Sequence, residues 1–128
     1  MSLPSYVQDR LTCVANLLAR PDQLDGVRIR CCAELLRTAV ERSVARACGA
    51  GNTDQPVHAL LISLPSHVDA DAAHDASQLW HALSRAIRHH GYELTPTVEE
   101  LTGWHADTAS VVASLEPTLT LSGNIDLT

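Results

Sequence analysis

The chain has 128 residues, 45% of them hydrophobic, and a formal net charge of −6. That is one domain's worth of sequence with enough apolar content to bury a core. The acidic balance excludes broad, non-specific binding to DNA, although a local basic groove stays open. There is no Phe and aromatics make up only 3%, so the core must be built from Leu, Val, Ile and Ala, which suits closely packed helices.

Residues 5–19 read as a first helix, with Val7, Leu11, Val14 and Leu18 at helical spacing. Pro21 ends it, and Asp22 is the expected cap of a second helix running to about Cys48 and stopping at Gly49. This long helix has two apolar stripes. One is Leu24, Val27, Cys31 and Leu35; the other is Ile29, Cys32, Leu36, Val40 and Ala47. Two stripes predict contact on two sides: the helix is central in the bundle, or it is shared between the core and a partner subunit. Arg30, Glu34, Arg37 and Glu41 read as surface ion pairs on a further face.

A loop over 49–56 leads to a short apolar helix, "VHALLISL" (57–64), ended by Pro65. A fourth helix is predicted from about residue 70 to His89 or His90, with Gly91 as terminator. "LTPT" offers two starts for the last helix: Thr95 with Pro96 at the first helical position, or Thr97 with Glu100 as a capping box. That helix should reach about Leu115 and bury Val98, Leu101, Val111, Val112 and Leu115. The expectation is an all-α antiparallel bundle of about five helices forming one domain over residues 1–116. Residues 117–128 alternate apolar and polar around Gly123-Asn124 and suit a flexible tail or a short β-hairpin arm.

Cys13, Cys31, Cys32 and Cys48 form no C-x-x-C, and the default reading is buried, reduced thiols in a cytoplasmic protein. No secretion signal and no membrane-spanning run is visible. The histidines His58, His67, His74, His81, His89, His90 and His105 are mostly isolated and show no H-E-x-x-H arrangement, so no metal is expected. "SLPSH" (63–67) lacks the glycines of a nucleophile elbow. Trp80 and Trp104 are expected as core or interface anchors, with base stacking the alternative.

The chemically richest run is "LSRAIRHHGYELTPT" (83–97). Leu79, Leu83, Ala86 and His90 share one helical face, and Arg85 and His89 share another. Arg85 and His90 diverge by about 140° on a regular helix and converge only if the helix ends near His90. An Arg can pair with a phosphate and a His can move a proton at the attacking or leaving oxygen, which is what metal-independent cleavage of RNA by its own 2′-OH requires. The structural alternatives are a core His90, a Tyr92 that packs with its hydroxyl bonded, and Arg88 and His89 complementing the negative end of the helix dipole.

The run has the form R-x4-H-x-Y, with Arg85, His90 and Tyr92 in the three places. It resembles the motif of the HEPN (higher eukaryote and prokaryote nucleotide-binding) family, closest to the HepT-type toxins. The motif's position near a helix end, before a terminal helix, is similar too. The resemblance spans roughly residues 24–115 and implies a small all-helical homodimer acting on RNA, as a toxin or defence endoribonuclease, with no cofactor. It implies that Arg85 binds the scissile phosphate and that His90 is the general acid or base, with His89 the competing imidazole. Two motif copies would face one another across a dimer cleft. Tyr92 would be the point at which an antitoxin nucleotidyltransferase attaches nucleotide. Ala86 stands where the family usually has a polar residue, commonly Asn, and relatives exist that bind without cutting. The alternative from a different class is a non-enzymatic helical dimer serving as a protein-interaction module.

Overall fold

The computed structural model describes residues 4–49, 55–88 and 96–116. Five α-helices occupy them: α1 (Ser5–Leu18), α2 (Gly26–Ala47), α3 (Val57–Ser63), α4 (Ala70–Ile87) and α5 (Val98–Leu115). Short 3-10 turns at Pro21–Gln23 and Leu64–Ser66 precede α2 and follow α3. No strand occurs among the described residues, and no helix there is long and apolar enough to cross a membrane.

Side-chain contacts fix the relative directions. Arg37 on α2 reaches Ser84 on α4 and Glu41 reaches Trp80, so four residues forward on one helix match four back on the other and the pair is antiparallel. Tyr6, near the start of α1, lies under Arg42 near the end of α2, so these two are antiparallel as well. The end of α5 meets the end of α2, where Glu116 bonds Arg46, which makes α5 antiparallel to α4. The longest helix is the hub: α2 packs against α1, α3, α4 and α5.

The caps follow local chemistry. Asp25, rather than Asp22, caps α2 by accepting from the Arg28 backbone N–H at 2.8 Å. The Pro21–Gln23 turn intervenes and carries Asp22 too far upstream to reach the helix. At the other end of α2, Gly49 turns the chain with φ 71°, a left-handed conformation that glycine adopts at no steric cost. Asp69 caps α4. Thr97 and Glu100 form the reciprocal capping box of α5, so the second of the two predicted starts is the one used.

The core consists of Val7, Leu11 and Val14 of α1, Ile29, Cys32, Leu36, Val40 and Val44 of α2, Leu79 and Leu83 of α4, and Leu101, Val111, Val112 and Leu115 of α5, joined by Leu60, Leu61 and Leu64. One of the two apolar stripes of α2 is therefore buried, and the other is covered only in part, with Leu24 and Leu35 packed against the core. Val27 is 63% exposed, Cys31 is exposed, and Leu24 and Leu35 are half-buried. The thiols also divide. Cys32 is buried and Cys48 half-buried, but Cys13 and Cys31 face solvent, because they lie away from the faces that pack.

Candidate functional site

Arg85 belongs to the last turn of α4, and its outward aim follows from its neighbours. Leu83, Ser84 and Ala86 are all buried, Leu83 and Ala86 in the core and Ser84 against Arg37, whose Nη1 donates to its Oγ at 3.3 Å. One helix step of about 100° beyond Ser84 points the Arg85 side chain out of the bundle. The same part of α4 is held by a second link: Trp80 Nε1 donates to Glu41 Oε2 at 2.8 Å, and Arg37 Nε lies 3.7 Å from that oxygen. The helix that presents Arg85 is thus pinned to α2 by two polar ties in addition to its apolar face.

On the opposite flank of α4, an open cleft of about 420 Å³ runs along the junction with α5. Leu79, Ala82 and Val111 contribute its apolar wall, and Arg85, Trp104, Asp75 and Asp107 contribute its chemistry. Because α4 and α5 are antiparallel, Arg85 and Trp104 share one end, while Asp75 lies toward Ser110 at the other. Ten residues of helix place Asp75 roughly 15 Å from Arg85. The carboxylates therefore make the cleft bipolar, and an anion is favoured only at its Arg85 end. Arg85 has no hydrogen bond or ion pair with any described residue, so its guanidinium is uncommitted there. Trp104 is half-buried: it packs on the core and shows part of its indole to the cleft.

Of the sequence-predicted site, Arg85 is therefore placed, exposed and beside a cleft. Leu79, Leu83 and Ala86 form the buried face expected of them. His89, His90, Tyr92 and Gly91 lie outside the described residues, as does the tail 117–128. The helix itself closes at Ile87 with Arg88 as cap, two or three residues before the expected end at His89 or His90. That Trp104 and Asp107 share a cleft with Arg85, with Asp75 at its far end, was not anticipated. The signal was available in part: Asp75, Gln78, Ala82 and Arg85 repeat at spacings of 3, 4 and 3, the mark of one helical face.

Other polar features have structural roles. His105 bonds the Leu11 carbonyl at 2.9 Å, tying α5 to α1. Glu116, 4% exposed at its side chain, pairs with Arg46 at 2.9 Å and closes the far end of the bundle. Burial pushes the Cys32 thiol up to about 11, with smaller contributions from Cys13 and Cys31, which makes it a poor nucleophile. Burial likewise raises the Tyr6 hydroxyl, against the opposing influence of Arg42, Arg46 and Arg10. Among the described residues no group of three His, Cys, Asp or Glu side chains is arranged to hold a metal ion. No family model matches the sequence, and no curated protein or solved structure matches it.

Proposed function

We propose that the protein is a HEPN-like homodimer that binds RNA and cleaves it without a metal, with Arg85 holding the scissile phosphate and His90 moving the proton. The observation that carries this reading is the exposed Arg85 guanidinium, bonded to no described residue, at the rim of an open cleft on a helix whose other flank is locked to the core. Arg85 supplies a fixed cation and two N–H donors suited to phosphate oxygens. Trp104, at the same end of the cleft, offers a face for an unpaired base, whereas Asp75 and Asp107 disfavour a second phosphate further along. This favours a short single-stranded segment over a duplex. His89 is the alternative imidazole, and Tyr92 is the residue a partner nucleotidyltransferase would modify. A toxin or defence role in the cytoplasm belongs to the same reading. The test is incubation of purified protein with single-stranded RNA in EDTA, beside Arg85→Ala and His90→Ala. Cleavage by the parent and its loss in both variants supports the proposal; equal cleavage in all three removes it.

A second reading, a non-enzymatic interaction module, is favoured by the exposed apolar residues Val27 on α2 and Ile62 on α3, the latter 81% exposed. In that case Val27→Asp or Ile62→Asp abolishes partner capture while Arg85→Ala does not.

A further inference from the structure

On the α3–α4 side of the bundle three rings meet. His58, at the start of α3, and Trp80 and His81, on α4, form a triangle. The centroid distances are 4.9 Å from His58 to Trp80, 5.1 Å from Trp80 to His81 and 5.9 Å from His58 to His81. Both imidazoles are exposed, and the indole between them is half-buried. Two features make the pair more than a chance surface contact.

The first is that His81 has its tautomer set. Its Nδ1 lies 2.7 Å from the Ser77 carbonyl oxygen. A carbonyl only accepts, so Nδ1 carries the proton and donates it, leaving the Nε2 lone pair free. An imidazole held through one nitrogen by a backbone carbonyl, with the other nitrogen open, is the usual arrangement of a metal-ligating histidine. The second is the spacing. Two imidazoles that share one ion at about 2 Å per metal–nitrogen bond have centroids roughly 5–6 Å apart. The observed separation falls in that range before any side chain moves. The indole that supports both rings is itself fixed, through its hydrogen bond to Glu41.

We infer that His58 and His81 form a two-imidazole site for a late first-row divalent cation such as Zn²⁺, with water completing the coordination. Nitrogen ligands select Zn²⁺, Ni²⁺ or Cu²⁺ over Mg²⁺ and Ca²⁺, which require oxygen. The ion would staple the seven-residue α3 to α4. His81 lies one helical turn before Arg85 on α4, but the ribonuclease reading needs no metal, so the two proposals are tested by different variants and either can fail alone.

The experiment is titration of the full chain with Zn²⁺, followed by imidazole NMR resonances and by calorimetry. The site predicts one equivalent bound, with His58 and His81 shifting together before His67, His74 or His105. His58→Ala and His81→Ala should each weaken binding by roughly tenfold or more, because one imidazole cannot hold the ion alone. His74→Ala, on the same helix as His81, should leave it unchanged. Mg²⁺ should shift neither ring. If only one of the two imidazoles responds, or if His58→Ala binds Zn²⁺ as tightly as the parent, the inference is overturned. The NMR arm reads the unmodified protein, so it stands even if a variant folds poorly.

Discussion

Helix α4 has two flanks, and they are built in opposite ways. Toward α2 it is sealed: Leu83 and Ser84 are buried, Trp80 bonds Glu41, and Arg37 bonds Ser84. Toward α5 it is open: a cleft separates Asp75, Gln78 and Arg85 from Trp104 and Asp107, and Arg85 bonds no described residue. The contrast teaches where the molecule spends its polar groups. On the sealed flank each charge is matched to a neighbouring side chain and fixes the register of two helices. On the open flank the charged side chains Asp75, Arg85 and Asp107 are exposed and line a cleft, which is the condition for meeting something else. A rigid support beneath an exposed cation is what a binding site needs.

The sharpest way to break this contrast is to alter the two flanks in turn. Leu83→Ala removes a fully buried side chain between packed helices and should cost about 2–5 kcal/mol in chemical unfolding. Arg85→Ala, two residues further along the same helix, should change stability by no more than about 0.5 kcal/mol. Comparable losses in both would mean that the open flank is structural after all.

Alkaline titration probes the sealed interior next. The Cys32 thiol is raised from 9.0 to about 11, so over that interval the folded protein keeps a proton that the unfolded chain gives up. Its contribution is complete below pH 9 and is lost as pH rises through 11, a fall of roughly 2–3 kcal/mol over those two units. Cys32→Ser or Cys32→Ala should flatten the decline. In the same range Cys13 and Cys31 should react with an alkylating reagent before Cys48, and Cys32 should react last.

Smaller effects sharpen the comparison further. Trp80→Phe deletes the donor to Glu41 but leaves that carboxylate beside Arg37, and should cost about 1–2 kcal/mol. Thr97→Ala removes half of the capping box of α5 and should cost about 1 kcal/mol, with no change at the cleft beyond it.

Much of the fold was legible in the sequence because it is written in short-range periodicity. Val7, Leu11 and Val14 recur at helical spacing and are buried, as are Leu101, Val111, Val112 and Leu115. The Thr97–Glu100 spacing and Gly49 also marked their helix ends. The Asp22 cap was misread because a three-residue 3-10 turn after Pro21 has no apolar period to announce it, and Asp25 takes the role instead. The second stripe of α2 shows the converse. Leu24, Val27, Cys31 and Leu35 have the pattern of a packed face, yet periodicity cannot say whether this chain or another covers it, and here the chain leaves Val27 open. The cleft was harder still. It arises from the juxtaposition of α4 and α5, so Trp104 and Asp107 come beside Arg85 only through tertiary packing across a ten-residue connection.

The central claim is that the open flank of α4 receives RNA through Arg85. Its most direct test is the affinity of a short single-stranded RNA for the parent protein and for Arg85→Ala, measured at two salt concentrations in EDTA. The account predicts binding that weakens with salt, falls roughly tenfold or more in the variant and shows a shallower salt dependence there, since one phosphate contact has been lost. Equal affinity and equal salt dependence in the two proteins, with the fold of both intact, would contradict it.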